Sequence, residues 1–445
     1  MQPEAEITET QPARRPRRAR RFGVIALFSL LVPVVFLAAV AFVVSGKPLE
    51  APEWVHARVQ AAVNQQLEGI EVTIERMALV VEDDWDPSIE LQGVLVSPED
   101  GGSPVRLETA RARLAFAPLL DREIALRDVQ VSGVSLLVLR QQDGTVQVSI
   151  GQGGGAFQTD TDLTTFGDQI EGYLQAPLLA YLDLFQIEDV TIRFEDRRAR
   201  QAWTVDGGHI TLRRTEELVE LASQMTLLGG RSYASTIEAS VTTRFGTRTT
   251  EFGVNFEDLP SEDIAAQSAA LSWLQILRAP ISGALRASID SEGNLGNVNA
   301  TLQIADGVLQ PDGAVRPVPF ESMRSYLTYD PNRGAIRFDE LSLSSDMVRV
   351  NAHGEAFIGS LSQGLPEEFL VQLTLNEFRA NPRNLEDDPV ALERSYADFR
   401  LKLDPFELDL GQLVVRQNGN QIVLDGHLAT EGENWAYALN GHMDE

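Results

Sequence analysis

The sequence predicts a mostly β protein: an N-terminal transmembrane helix is followed by a repetitive antiparallel β-sheet with two helical insertions. Three observations lead to this fold class. An apolar stretch follows a basic N-terminus, apolar and polar residues alternate in short runs from Ile70 to the end, and two later stretches have apolar residues at helical spacing. A chain of 445 residues has room for about three domains or for one long repetitive unit.

Residues 22–45 are predicted to form the transmembrane helix, behind a cytoplasmic basic tail at residues 1–21. The stretch from Phe22 to Val44 is long enough, at about 1.5 Å per residue, to cross a hydrocarbon core of about 30 Å. A cleaved signal peptide is the weaker alternative because such apolar regions run about 7–15 residues, although residues 39–41 resemble a cleavage site. The predicted anchor side chains are Phe22, Leu27, Leu30, Leu31, Phe36 and Phe42, with Trp54 at the membrane interface.

Charge sets the predicted orientation and excludes one class of partner. Six arginines precede the span and few basic residues follow it closely, so we expect a cytoplasmic N-terminus and everything after Gly46 on the far side. The net charge is −28; subtracting the +3 of residues 1–22 leaves −31 on the rest. This acidity argues against nucleic acid as a partner, because nucleic-acid affinity comes mostly from Lys and Arg that neutralise phosphates.

Residues 46–150 are predicted to form a β module with a leading helix, and residues 187–445 a repetitive β body. The helix is predicted for Pro52–Leu67, where apolar residues recur at helical spacing before Gly69. From Ile70 onward we expect about twenty strands, each with one buried and one wet face, because apolar residues occupy every second position. Later segments such as Gly334–Leu343 and Val348–Ile358 resemble successive hairpin arms, a repetition that favours a growing sheet.

Two segments interrupt this alternation. Residues 151–186 are predicted to be a glycine-rich linker followed by a helix from about Asp162 to Gln186. A second helix is predicted for about residues 261–278, with Ser261 as its N-cap. Spacing fits lids over the β body and ordinary core helices equally well.

The sequence contains little that indicates catalysis, a cofactor or a metal. It has no cysteine, which excludes disulfides and thiolate metal sites. No P-loop, nucleophile elbow or paired-histidine motif is present, and the acidic run at residues 82–86 lacks the calcium-loop spacing. Cross-strand pairing would bring His427 and His442 together as metal ligands, but we expect both to be polar residues beside turns instead. We therefore predict a protein that is not an enzyme.

Several segments carry a family resemblance. Residues 89–96, 107–116, 118–120, 124–131 and 134–144 resemble the opening module of the AsmA-like superfamily of bridge-like lipid transport proteins of the YhdP and TamB type, with the YhdP branch most similar. Residues 271–357, with Pro280-Ile-Ser-Gly283 and Ala352-His-Gly354, resemble the repeated body of the same proteins. The resemblance covers most of residues 22–445, and its motifs are structural.

The resemblance implies an elongated, twisted, groove-forming sheet that is anchored in the inner membrane of a diderm bacterium and lies in the periplasm. The implied function is to bind and conduct phospholipid acyl chains, supporting transport to the outer membrane and its integrity, and envelope proteins are the implied partners. Members of this branch usually continue farther than Glu445, so we expect either a fragment or a partner that completes a bridge. The expected groove-lining residues are Leu114, Phe116, Ile192, Phe194, Val254, Phe256, Val371, Leu373, Leu375, Leu408 and Leu410.

Two other functions remain open at this point. One is an envelope-biogenesis or outer-membrane protein assembly scaffold with a closed, water-excluding β core. The other is a periplasmic hydrolase. The three hypotheses differ in what the inward apolar side chains contact: lipid, other side chains, or a pocket with converging polar groups.

Overall fold

A computed structural model gives the fold of this chain. It describes residues 49–444, except 67–69, 82–86, 99–104, 116, 119–124, 143–145, 151–155, 158–171, 173, 198–200, 229–233, 246–248, 268, 360, 363–364, 382–389, 393 and 418–419. The predicted transmembrane helix, its six anchor side chains, the glycine-rich linker and Phe116 lie outside these residues.

Most of the described chain is β-strand, as the alternation predicts, and 24 of the strands form one sheet. The N-terminal strands are β1 (Leu49–Glu50), β2 (Ile70–Val81), β3 (Pro87–Pro98), β4 (Val105–Leu114), β5 (Leu126–Ser132), β6 (Ser135–Arg140), β7 (Val146–Ile150) and β8 (Ala156–Phe157). The middle strands are β9 (Leu184–Asp196), β10 (Gln201–Arg214), β11 (Leu218–Leu228), β12 (Ser235–Arg244), β13 (Thr250–Pro260), β14 (Leu277–Arg278), β15 (Pro280–Ile289), β16 (Val298–Ile304), β17 (Gly307–Leu309) and β18 (Val318–Phe320).

The C-terminal strands are β19 (Ser322–Asp330), β20 (Ala335–Ser344), β21 (Val348–Ile358), β22 (Leu361–Ser362), β23 (Leu365–Pro366), β24 (Glu368–Ala380), β25 (Val390–Leu392), β26 (Ser395–Leu403), β27 (Phe406–Gln417), β28 (Asn420–Glu431) and β29 (Asn434–Asp444). The helices whose bounds lie within the described residues are α1 (Glu53–Gln66), α2 (Ser261–Ala265) and a 3-10 helix (Ala269–Ile276). Residues 117–118, 172 and 174 are also helical. Outside the large sheet, β14, β17 and β18 form a three-stranded sheet, and β22 pairs with β23.

Successive antiparallel pairing builds the large sheet, with one exception. From β9 onward each main strand pairs with the next main strand along the chain. The exception is β9, whose first half pairs in parallel with β5 and whose second half pairs in parallel with β6. Some short strands, such as β5 and β6, lie end to end beside the same neighbouring strand. Across its strands, the sheet therefore extends on the order of 90 Å at about 4.8 Å per strand.

The helix α1 covers the outer edge of β2. Asn64 accepts a hydrogen bond from the amide of Val72 at 2.8 Å and donates one to its carbonyl at 3.1 Å. His56 bonds the carbonyl of Ile74 at 2.9 Å. Val59 and Val63 pack on the apolar cluster that contains Val72 and Ile74. Side chains of α1 therefore form hydrogen bonds with backbone groups at the edge of β2 that another strand would otherwise bind.

Replacing Asn64 with Ala should open this edge. We expect a loss of about 1–2 kcal/mol of stability, because the amide and carbonyl of Val72 lose their partners. Hydrogen exchange would report this as faster exchange of the Val72 amide. Arg58→Ala, at an exposed position on the same helix, serves as the control. Equal exchange rates in the two variants would show that Asn64 does not protect the edge.

The structure corrects the predicted helical segments in detail. Of the segment predicted as helical over residues 162–186, residues 162–171 and 173 lie outside the described residues, and Gly172 and Leu174 are helical. Residues 175–181 are turns, and residues 184–186 form the start of β9. The second predicted helix is present but divided into α2 and the 3-10 helix, and residues 277–278 are strand β14. Ser261 is not the N-cap. That position is Pro260, and the Ser261 hydroxyl instead donates to the carbonyl of Leu277 at 2.7 Å.

Candidate functional site

The register of the large sheet gives it one apolar face. Paired residues of neighbouring strands point to the same side of a sheet, so a chain of pairs defines a face. One such row consists of Val254, Leu285, Ala300, Leu327, Phe338, Gly354, Leu373, Ala397, Leu413 and Leu424. We call the side that carries this row the apolar face and the opposite side the polar face.

Ten of the eleven predicted lining residues are described, and the register places all ten on the apolar face. Ile192 pairs with Val205, and Val205 pairs with Leu227. Met225 has the same parity as Leu227 on β11 and pairs with Ile237, which pairs with Phe256. Leu114 has the same parity as Ala112, which pairs with Val129, and Val129 pairs with Phe185. The others on this face are Phe194, Val254, Val371, Leu373, Leu375, Leu408 and Leu410. Whether they contact lipid stays a prediction.

The polar face carries ion pairs between neighbouring strands. Arg400 lies 3.4 Å from Glu368, and Lys402 lies 2.6 Å from Glu407. The hydrogen bond and charge of Glu407 raise the pKa of Lys402. In the turn after β15, the backbone amide and side chain of Asn294 donate to Asp290 and lower the pKa of that carboxyl. Exposed pairs of this kind contribute little stability each, and they keep this face in water.

The helical segment between β13 and β15 covers the centre of the apolar face. We call residues 261–276, which contain α2 and the 3-10 helix, the insertion. Leu274 of the insertion is fully buried, as are Ile281, Leu302 and Ile336 of the sheet. These side chains belong to one cluster that extends from Phe256 to Leu403. The middle of the apolar face is therefore a closed, water-excluding core.

A polar contact holds the insertion to the N-terminal strands. Arg140, at the end of β6, forms an ion pair with Asp196 of β9, whose side chain is fully buried. The same arginine donates to Gln267 Oε1 at 2.8 Å, and the Trp203 indole donates to Asp263 Oδ2 at 2.9 Å. We call these contacts the latch. They link β6, β9 and β10 to a segment that follows β13, so they cross over the apolar face.

On the C-terminal side of the insertion the apolar face is less covered. Leu408, Leu410 and Leu424 are half-buried. On β29 the exposed fractions rise to 80% for Tyr437 and 62% for Leu439. These two residues pair with Leu428 and Gly426 and therefore continue the same face. The sheet thus has a covered centre and an open apolar stretch beside it.

A cavity of about 1180 Å³ lies at the strand ends that bound the apolar face on β5, β9 and β10. Leu174, Leu182 and Phe245 form part of its wall, and they pack against Phe185 and Leu212 of the apolar face. Its polar lining residues are Arg127, Gln175, Asp183, Arg214, Thr215 and Glu216. The cavity is thus amphipathic and joins the apolar face at the ends of β5, β9 and β10.

The described residues contain no group of three or more acidic or histidine side chains placed to hold a metal ion. His427 pairs with Ala438 and His442 with Val423, so β28 and β29 do not bring the two histidines together. His427 instead bonds Asp409 at 2.6 Å on the polar face. No helix within the part of the chain that the structure describes has the length and apolarity needed to cross a membrane. Trp54 lies on α1 and is 70% exposed.

Sequence reasoning missed the charged residues of the apolar face: Arg140, Asp196 and Arg214. Each ends a strand and continues its apolar parity, after Val138, Phe194 and Leu212 respectively. The sequence feature that would have identified them is a charged residue at a position where the alternation predicts a side chain on the apolar face.

Comparison with known proteins gives no relative. No family model matches the chain, no curated protein does, and no solved structure does.

Proposed function

We propose that this chain binds lipid acyl chains along its apolar face and conducts phospholipids through a bacterial envelope. In this proposal residues 22–45 anchor it in the inner membrane with a cytoplasmic N-terminus. The body lies in the periplasm and acts with outer-membrane or periplasmic envelope proteins. The chain needs no catalytic residue and no cofactor for this function.

The supporting observation is the continuity of the apolar face beyond its covered centre. A closed core would end where its covering element ends, yet apolar side chains continue at the same parity through β27, β28 and β29. Burial contributes about 0.8 kcal/mol per CH₂, so a chain of about 15 methylenes would gain on the order of 10 kcal/mol. Such a gain offsets much of the cost of removing a lipid from a bilayer.

A second candidate is an envelope-assembly scaffold with a closed β core. Full burial of Leu274 of the insertion and of Ile281, Leu302 and Ile336 beneath it favours this function. The two functions differ in whether lipid reaches the apolar face.

Photo-crosslinking in cells separates them. A photoreactive phenylalanine analogue at Leu373, Leu408 or Leu410 should yield phospholipid adducts detectable by mass spectrometry. The sequence neighbours Gln372, Glu407 and Asp409, on the polar face, are matched controls and should yield none. Adducts absent from all three apolar positions, or equally frequent on both faces, would end the lipid proposal.

A further inference from the structure

We infer that the cavity at the end of the apolar face binds the phosphate-type headgroup of an amphiphile, with Arg214 as the residue that recognises the anion. The inference rests on the proposed function and adds a headgroup site to it. The acyl chains of the ligand would continue onto the apolar face, which the cavity wall joins.

The position of Arg214 is unusual for an arginine. It is the last residue of β10 and shares the inward parity of Leu212, and its strand partner Val219 is buried. Its guanidinium carbon lies 5.8 Å from the ring centroid of Phe245, within cation–π distance. Arg214 therefore has apolar side chains on one side and the cavity on the other.

The hydrogen bonds of Arg214 orient its guanidinium and leave one edge unused. Its Nη1 donates to the carbonyl of Ala180 at 3.0 Å and to that of Leu174 at 3.3 Å. The Nε and Nη2 edge makes no hydrogen bond to any residue that the structure describes, and no described carboxylate forms an ion pair with this arginine. Two parallel N–H groups on one edge form the fork that binds phosphate or carboxylate in a bidentate manner.

The rest of the cavity favours a headgroup over an isolated anion. Arg127 at the rim is already paired with Asp183 at 3.2 Å, and both side chains are more than half exposed. Glu216 also lines the cavity, so the formal charges of the cavity's lining residues sum to zero before a ligand binds. A free anion would gain only the Arg214 contact, whereas an amphiphile would gain that contact together with the apolar wall. The volume of about 1180 Å³ leaves space for a headgroup and the first part of its chains.

The test compares two lipids with identical chains and one soluble phosphate. The full chain in maltoside detergent is titrated with dioctanoyl phosphatidylglycerol, with dioctanoylglycerol, which lacks the phosphate, and with glycerol 3-phosphate. Arg214→Gln should weaken binding of the phospholipid about tenfold or more and leave that of dioctanoylglycerol unchanged. Arg213→Gln, at the exposed neighbouring position on the polar face, should change neither.

Arg214→Lys gives a second test that does not depend on the tolerance of the fold for glutamine. Lysine keeps the positive charge but lacks the two parallel N–H groups of the guanidinium. We therefore expect it to weaken phospholipid binding less than Arg214→Gln does, and to leave dioctanoylglycerol binding unchanged. An equal loss for both lipids, or no loss in either variant, would overturn the headgroup site. Glycerol 3-phosphate binding as tightly as the phospholipid would overturn the lipid as its ligand. Failure of the unmodified chain to bind either lipid would overturn the proposed function together with this inference.

Discussion

Replacing the insertion with a tight turn should expose the covered centre of the apolar face, so that the stability of the folded variant depends on bound lipid. Pro260 pairs with Pro280 at the ends of β13 and β15, so Asn-Gly in place of the insertion and the following residues 277–279, which include β14, would join the strands as an ordinary hairpin. The variant loses the burial of Ile264, Leu271, Leu274 and Leu277. At about 1.5–3 kcal/mol per side chain this is on the order of 10 kcal/mol, comparable with the whole stability of a typical domain.

We expect this variant to fold in detergent or lipid, to aggregate without them, and to carry more phospholipid per chain than the unmodified protein. Circular dichroism with and without lipid, and lipid analysis of the purified chain, measure the two effects. Asn-Gly in place of Gly432 and Glu433, the turn between β28 and β29, is the matched control and should change neither. If the variant stays unfolded when lipid is supplied, the centre is an obligatory core, as a scaffold with a closed β core requires.

Asp196→Asn should be the most destabilising single substitution in the latch. It leaves the Arg140 guanidinium, whose side chain is 13% exposed, without the charge that compensates it. Loss of one partner of a buried pair costs about 3–5 kcal/mol. The midpoint of urea unfolding measures this loss.

Glu195→Gln on the same strand provides the comparison. Glu195 pairs with Arg193 at 2.9 Å on the exposed side of β9, and its loss should cost at most about 1 kcal/mol. The double variant Arg140→Met with Asp196→Leu should regain part of the stability, because no unpaired charge remains. Equal midpoints for Asp196→Asn and Glu195→Gln would show that the Arg140–Asp196 pair contributes no more stability than an exposed pair.

The alternation of apolar residues was sufficient to predict most strands and the face on which their side chains lie. Phe406, Leu408 and Leu410 show why: with a period of two, one register places all three on the same side. The helical segments were predicted less well. Leu178, Leu182 and Phe185 have helical spacing, yet Phe185 belongs to β9, where alternation with Ile187 decides the structure. Short apolar runs fit both periods, and tertiary pairing chooses between them.

The parallel pairing of β9 with β5 and β6 had no local signal. Antiparallel neighbours are joined by short turns, whereas this pairing depends on a long excursion of the chain. The cavity and the position of Arg214 depend on this parallel pairing and on the turns at residues 175–181, which no short sequence pattern predicts. Prediction therefore succeeded where the structure is local and failed where distant segments meet.

The parallel pairing of β9 with β5 and β6, here called the junction, also leads to an expectation about the order of folding. From β9 to β29, successive hairpins pair segments that are near one another in sequence. These strands can therefore pair one after another with a small entropic cost of loop closure at each step. The junction instead joins positions such as Arg127 and Asp183, which are 56 residues apart. We therefore expect its closure to be the slow event of folding, with the cavity and the Arg140–Asp196 pair forming only at that stage. In this order of folding, the last step forms the candidate headgroup site and, at the same time, the contacts that hold the insertion.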